Sequence, residues 1–177
     1  GAETLTVNPA SGTAIYDASD NAAADPQSNN TASLTEKTLP AITGTTIAAN
    51  NASITVTFGE NVYDTNGGTG DLEVGDFTLS IASGTATVNA TPSSITKTSQ
   101  KIWVLGLNLT GTPDGDETLT VNPASGTAIF DGAANNAAAS QSNNTVSLND
   151  QAAPTMTISS GTVSSGDTSN DATIALT

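Results

Sequence analysis

The chain has 177 residues and a formal net charge of −14, because 17 acidic residues face only three lysines and no arginine. This balance excludes binding to nucleic acid and attraction to an anionic membrane surface, since both need a basic face. The sequence has neither histidine nor cysteine, so it lacks disulfides and the commonest general base and transition-metal ligand. No apolar run is long enough to span a membrane, so we expect no membrane insertion.

The same composition argues against catalysis. Serine is abundant, but a serine nucleophile needs a base, and no histidine is present to serve it. A pair of carboxylates can hydrolyse a glycosidic bond. The aromatic content of 3%, however, offers few of the platforms that line a sugar-binding cleft. We therefore expect this protein not to be an enzyme.

Short runs of alternating apolar residues, separated by turn residues, predict an all-β chain. The predicted strands of the central region lie in the runs 52–58, 76–82, 85–90, 101–109, 117–124, 127–130 and 145–149. Ser83-Gly84 predicts a hairpin between the second and third of these runs. Trp103 lies in the most apolar run, which indicates a central strand and a core position for this side chain. No segment keeps an apolar period of 3.6 residues, so we expect almost no helix.

A long internal repeat defines the domain organisation. Residues 1–43 return at residues 115–157 with a constant offset of 114 residues, so that GAETLTVNPASGTAIYD recurs as GDETLTVNPASGTAIFD. This period is the size of a small domain and exceeds that of solenoid repeats. We predict that residues 1–38 are the C-terminal part of one repeat, residues 39–152 a complete repeat, and residues 153–177 the N-terminal part of the next.

Two explanations of the partial units stay open at this point. The chain can be a window onto a longer polypeptide of tandem domains. Alternatively, neighbouring molecules complete the partial ends by strand addition, as in donor-strand assembly.

The spacing of the strands and turns favours immunoglobulin-like β-sandwich domains in tandem. In that topology, the loop after the second strand and the turn before the last strand lie at one end, where the incoming linker also enters. Acidic residues are concentrated in these three segments. They are Glu36 in the linker, Glu60, Asp64, Asp71, Glu73 and Asp76 in the loop, and Asp131 with Asn135 and Asn136 in the turn.

Clustered carboxylate and amide oxygens, without histidine or cysteine, suit Ca²⁺. We predict a calcium site at the junction between domains, where the ion would fix the angle between neighbours. The preferred ligands are Glu60, Asp131, Asn135 and the linker acid Glu36. Two further candidates are Glu73 and Asp76. The alternative is that these acids are solvated loop residues, because Asp and Asn are common in turns.

The segments TVTFGENVYDTNGGTGDLEVGDFTLSI, ETLTVNPASGTAIFD, QSNNTVSLND and APTMTI resemble the bacterial Ig-like (cadherin-like) tandem repeats of giant cell-surface proteins and adhesins. The resemblance implies extracellular sandwiches in tandem on a bacterial surface, often stiffened by calcium at the junctions. Family members often carry Asp-x-x-Gly-Asn at the turn that begins at Asp131. This chain has DGAAN there and DASDN in the first copy, so the glycine before the asparagine is missing.

We therefore expect a structural segment of a surface fibre, stalk or adhesin, whose partners are neighbouring repeats and other copies of the chain. One alternative is an adhesion module in which the acidic loop 59–75 binds a glycan or a protein. The other is a self-assembling filament subunit completed by strand donation.

Overall fold

The structure is a computed structural model that describes residues 3–155 and the short strands 158–159 and 175–176. Within these residues the chain is all-β, and its one helical element is a 3₁₀ turn at Val74–Asp76. The strands are β1 (Thr4–Thr6), β2 (Thr31–Ser33), β3 (Ile42–Ile47), β4 (Ser53–Phe58), β5 (Phe77–Ala82), β6 (Thr87–Val88), β7 (Ser94–Ser99), β8 (Ile102–Gly106), β9 (Leu109–Thr110), β10 (Thr118–Pro123), β11 (Thr145–Ser147), β12 (Ile158–Ser159) and β13 (Ala175–Leu176). No helix in the described part of the chain has the length and apolar character needed to cross a membrane.

Strands β3 to β11 form two antiparallel sheets and a small ribbon. One sheet has four strands in the order β3-β4-β8-β7, and the other has three in the order β11-β10-β5. A short two-stranded ribbon pairs β6 with β9. The two sheets share a single hydrophobic core, so this region is a β-sandwich.

The core is built from the alternating apolar residues of the inner strands. In β4, Ile54, Val56 and Phe58 are buried on one face, as the alternation predicts. Trp103 is buried in β8, which lies between β4 and β7 as the predicted central strand. The rings of Phe58 and Phe77 join the two sheets, with their centroids 6.5 Å apart.

The hairpin expected at Ser83-Gly84 is found only in part. Ser83 and Gly84 turn the chain with positive φ, and the amide of Leu79 in β5 donates to the carbonyl of Ala90 at 2.7 Å, but the ladder of β6 is with β9. The strand predicted at residues 127–130 is wrong. Their last residue, Phe130, makes only isolated bridges, to Tyr63 and to Asn136.

A buried carboxylate, that of Glu117, accepts hydrogen bonds from two separate loops of the sandwich, at residues 85–86 and 114–115. Glu117, which immediately precedes β10, is fully buried, and its Oε1 accepts hydrogen bonds from the backbone amides of Thr85 and Ala86 at 2.9 Å. Its Oε2 accepts from the amides of Asp114 at 3.0 Å and Gly115 at 3.1 Å. Burial acts to raise the pKa of Glu117, but the hydrogen bonds from these amides outweigh it and lower the pKa to about 2.

The first copy of the repeat folds as the second does. In β1–β2, Thr4, Leu5 and Thr6 pair with Ser33, Ala32 and Thr31. The corresponding residues of β10–β11 pair in the same register, 114 residues later. The domain boundaries themselves stay a prediction, and most of residues 153–177 lie outside the described residues. Of these, β12 and β13 pair antiparallel, as do β3 and β4.

Candidate metal centre at the domain junction

The turn before the last strand is organised around the buried carboxylate of Asp131. Its Oδ1 accepts hydrogen bonds from the backbone amides of Ala133 at 2.8 Å and Asn135 at 2.7 Å. The backbone amide of Asp131 in turn donates to the carbonyl oxygen of Asn135 at 3.0 Å. Asp favours such turns because its short side chain can satisfy nearby backbone amides.

The turn forms without the glycine that the resemblance leads one to expect. Ala134 occupies the position before Asn135 and adopts φ of +70°, the left-handed conformation that glycine adopts most readily. In the first copy, Asp20 takes φ of +62° at the same position. There Asp17 Oδ1 accepts from the amides of Ser19 and Asn21 at 2.8 and 2.9 Å. Both copies therefore form this turn without a glycine at the position before the asparagine.

Three carboxylates from distant parts of the sequence meet beside this turn. Oxygen atoms of Glu36, Glu60 and Asp131 all lie within 4.8 Å of one another. We call these three residues the junction cluster. Glu36 precedes β3, Glu60 follows β4, and Asp131 lies between β10 and β11. The three segments therefore meet at one end of the sandwich, as the topology predicted.

Asn135 connects the linker to the domain. Its side-chain Nδ2 donates to Oδ2 of Asp131 at 2.8 Å, to Oε2 of Glu36 at 2.9 Å and to the backbone oxygen of Glu36 at 3.3 Å. The segment that carries Glu36 is therefore hydrogen-bonded to the turn that begins at Asp131. Sequence reasoning did not identify Thr38, whose backbone amide donates to Glu36 Oε1. A backbone donor leaves no signal in side-chain patterns.

The carboxylates of the junction cluster influence each other's protonation. Burial raises the pKa of Glu60, and the nearby charges of Asp131 and Glu36 raise it further. The pKa of Glu36 is lowered, first by its hydrogen bonds from Thr38. Ionisation of Glu60 is therefore unfavourable in the absence of a cation. A bound cation would offset the repulsion from the neighbouring carboxylates and favour the ionised form.

The other two predicted ligands, Glu73 and Asp76, lie together in a different place. Glu73 precedes the 3₁₀ turn and Asp76 is its last residue, and Asp76 Oδ2 accepts a hydrogen bond from the backbone amide of Glu73 at 2.7 Å. Burial raises the pKa of Asp76, and the charges of Asp64 and Glu73 contribute in the same direction. Neither residue belongs to the junction cluster, and their local role is to cap the turn.

The acidic loop 59–75 is packed against the domain. Val62 and Leu72 are buried in the core, and Tyr63 bridges to Phe130 through backbone hydrogen bonds of 2.8 and 2.9 Å. Asp71 forms a surface ion pair with Lys97 at 2.5 Å. These contacts fix the loop that carries Glu60, so the position of Glu60 is set by the core.

The donor set of the junction cluster fits a hard cation. It consists of carboxylate oxygens, which Ca²⁺ prefers. Glu36 and Glu60 also line an open cleft of about 330 Å³, so these two carboxylates are accessible to an ion, while Asp131 is buried beside them. Asn135 points its amide nitrogen at the carboxylates, and its side chain would have to rotate to offer Oδ1 as a further ligand.

Comparisons with known proteins give structural likeness only. No family model matches the sequence, and no curated protein matches it. Among solved structures, the chain is similar to the N-terminal part of the bacterial S-layer protein SbsC, with a TM-score of 0.46 and 20% identity. It is also similar to domains 1-6 of surface layer protein SbsC, with a TM-score of 0.45 and 20% identity. Each match covers 68% of this chain but only 26% and 15% of those chains, respectively.

Proposed function

We propose that this chain is a structural segment of a bacterial cell-surface fibre or stalk, in which calcium at the junction cluster rigidifies the link between tandem domains. The observation that carries the proposal is that Glu36, a linker residue, lies within 4.8 Å of two carboxylates of the following domain. A site inside one domain would stabilise only that domain. A site shared with the linker also sets the direction in which the preceding domain leaves.

Three features support an immunoglobulin-like unit in tandem. The sheet orders β3-β4-β8-β7 and β11-β10-β5 match the four-plus-three arrangement of constant-type immunoglobulin domains. The hairpin β1–β2 repeats β10–β11 in register and in sequence, except that β2 has Ala32 where β11 has Val146. The linker enters the end of the sandwich at which the loop after β4 and the turn before β11 meet.

The mechanism is a change from a flexible to a fixed linker. Without a cation, the charges of Asp131 and Glu36 oppose ionisation of Glu60, and hydrogen bonds from the side chain of Asn135 hold Glu36 beside the turn. Calcium bound by Glu36, Glu60 and Asp131 would neutralise this repulsion and join linker and domain through one ion. The chain takes no catalytic role in this proposal.

The first experiment is thermal unfolding of the full chain with calcium or with a chelator. A ligand present at one hundred times its dissociation constant stabilises the native state by about 2.7 kcal/mol. For a domain of this size, we expect the midpoint to rise by roughly 10 °C.

Glu60→Gln is the diagnostic variant because its two effects have opposite signs. It removes a ligand, so the calcium-dependent rise should vanish. It also removes a repelled carboxylate, so the midpoint in chelator should stay unchanged or increase. Glu73→Gln is the matched control, since it removes an acid outside the junction cluster and should leave the calcium response intact. A calcium response that survives Glu60→Gln but disappears in Glu73→Gln would place the ion elsewhere and refute the junction site.

Rigidity needs its own measurement. Because the chain has no cysteine, spin labels can be attached at two introduced cysteines, Thr6→Cys in β1 and Thr96→Cys in β7. If calcium stiffens the junction, the distribution of distances between the labels should narrow when calcium is added. An equally broad distribution in calcium and in chelator would contradict the stiffening mechanism even if the ion binds.

A further inference from the structure

The tip of the acidic loop 59–75 carries a chemically reactive pair of residues. Asn66 is followed by Gly67, and no other asparagine of the sequence is followed by glycine. Both residues are exposed. The side-chain carbonyl carbon of an asparagine can be attacked by the backbone nitrogen of the next residue, which is one reason why asparagine is thermolabile. Glycine hinders this attack least, because it has no Cβ.

The hydrogen bonds of the tip leave the attacking nitrogen available. Thr65 and Thr69 close the tip, since the backbone amide of Thr65 donates to the carbonyl oxygen of Thr69 at 3.1 Å and Thr65 Oγ1 donates to the same oxygen at 2.7 Å. Between them, the amide of Gly68 donates to the carbonyl oxygen of Thr65 at 3.3 Å. The amide of Gly67 makes no hydrogen bond to any described residue. Its nitrogen is therefore not held by the fold.

The space beside Gly67 is open. Its φ is +103°, a conformation that residues with a side chain rarely adopt. No atom beyond its chain neighbours lies within 4 Å of the place that a Cβ would occupy. The side chain of Asn66 and a water molecule can therefore approach the Gly67 nitrogen without displacing any other group.

We propose that Asn66 is a site of spontaneous deamidation in the folded protein, with water as the only co-reactant. The Gly67 nitrogen loses its proton to solvent and forms a bond to Cγ of Asn66, while the bond from Cγ to Nδ2 breaks and the nitrogen leaves as ammonia with a proton from solvent. The product is a five-membered ring. Water then opens the ring at one of its two carbonyl carbons. Attack at Cγ gives aspartate, and attack at the main-chain carbon gives isoaspartate, in which the main chain runs through the former side chain.

The isoaspartate product alters a close contact inside the domain. A Cβ on Gly68 would stand 2.9 Å from Cα of Gly132, so the loop tip packs tightly against the turn that begins at Asp131. Isoaspartate at position 66 lengthens the main chain by one methylene group two residues before this contact. The aspartate product adds a charge but keeps the length of the main chain. Deamidation through the ring therefore weakens the packing of the loop against the turn, whether or not calcium binds nearby.

The first test compares two asparagines of the same loop. The full chain is incubated at neutral and mildly alkaline pH and then cleaved with chymotrypsin, whose cuts after Tyr63 and Leu72 separate Asn66 from Asn61. Asn61 is also exposed but is followed by Val62, so mass spectrometry should find deamidation at Asn66 faster on the order of tenfold or more. The rate should rise in proportion to the hydroxide concentration, because the attacking nitrogen must lose a proton. Equal rates at the two positions, or deamidation of Asn66 only in urea, would overturn the proposal.

The products test the ring itself. Direct attack of water on the side chain gives aspartate alone, whereas the ring gives both aspartate and isoaspartate. Chromatography of the peptide 64–72 should therefore resolve two products, and aspartate alone would refute the ring. Asn66→Gln should abolish the modification, because its longer side chain would need a larger ring. This exposed substitution should leave the unfolding midpoint of the fresh chain unchanged.

Urea unfolding of aged samples tests the effect on the domain. The midpoint of the aged parent chain should fall, and that of the aged Asn66→Gln chain should not. Fresh Asn66→Asp is the matched control, since it carries the added charge without the longer main chain, and its midpoint should equal that of the fresh parent. Equal midpoints for the aged parent and aged Asn66→Gln chains would refute the weakened packing. An equal fall in fresh Asn66→Asp would assign the effect to charge and would overturn the role of the lengthened main chain.

Discussion

The side chain of Asn135 donates hydrogen bonds to Asp131 of its own turn at 2.8 Å and to Glu36 of the incoming linker at 2.9 Å. The side-chain amide of Asn135 therefore contacts a residue that lies 99 positions earlier in the chain, Glu36. This link holds the linker beside the turn before any cation is considered. The same hydrogen bond keeps Glu36, which lies before the first strand of the sandwich, close to Glu60 and Asp131.

Asn135→Ala should loosen the linker without unfolding the turn. The backbone amide of Asn135 still reaches Asp131 Oδ1 at 2.7 Å, so the turn keeps its main bond. The lost side-chain hydrogen bonds should cost roughly 1 kcal/mol in unfolding free energy. Urea unfolding in chelator measures this. The control is Asn21→Ala in the first copy, whose amide bonds only to Asp17, and it should leave the complete unit unaffected. An equal loss of unfolding free energy in both variants would mean that the hydrogen bond from Asn135 to Glu36 does not contribute to stability.

Glu117 gives the domain a defined loss of stability in acid. Its pKa is lowered to about 2 in the folded state, against an ordinary value of 4.5. A lowered pKa contributes stability above pH 4.5, and the contribution is lost as the pH falls toward 2. Glu117→Gln should therefore lower the urea midpoint strongly at pH 7, and the difference from the parent chain should shrink between about pH 4.5 and 2.

The control for this titration is Glu3→Gln, the same residue in the first copy. Glu3 is exposed in this chain, so its replacement should leave the midpoint unchanged over the whole pH range. A Glu117→Gln difference that does not depend on pH would show that packing around the side chain, and not its charge, provides the stability.

Gly84 makes room for the Glu117 carboxyl. It has φ of +67°, and a Cβ at this position would overlap the side chain of Glu117. Gly84→Ala should cost at least the roughly 1–2 kcal/mol of the left-handed conformation, with the overlap in addition. Gly126→Ala is the control, because no atom lies within 4 Å of its added Cβ. Urea unfolding that places both variants at the same midpoint would refute this role of Gly84.

The parts of the fold that follow from local pattern were predictable from the sequence. Alternation in β4 and β10 identifies the inward residues, since a strand presents successive side chains to opposite faces. The meeting of Glu36 with Glu60 and Asp131 followed from the order of strands, because that order decides which loops share an end. Whether calcium binds there stays a prediction.

The rest depended on contacts that the sequence pattern does not contain. The turn Ser83-Gly84 has the sequence of a tight hairpin, but Glu117 accepts hydrogen bonds from the amides of Thr85 and Ala86 that follow it, and β6 pairs with β9. The acids Glu73 and Asp76 lie in the predicted loop, but the side chain of Asp76 accepts a hydrogen bond from the backbone amide of Glu73 within the 3₁₀ turn. In each case a carboxylate accepts hydrogen bonds from backbone amides, a role that the sequence pattern does not show.

The internal repeat allows one core position to be tested against itself. Leu119 and Leu5 occupy the same place in the same hairpin register, but Leu119 is buried in the core and Leu5 is about half exposed. Removing a buried leucine side chain to alanine typically costs about 2–5 kcal/mol, through lost transfer free energy and the cavity left behind. We expect Leu119→Ala to lower the unfolding free energy of the complete unit by this amount. Leu5→Ala should leave it within about 0.5 kcal/mol of the parent chain. An equal loss of unfolding free energy from both substitutions would mean that the first hairpin is packed against the complete unit, contrary to the exposure of Leu5.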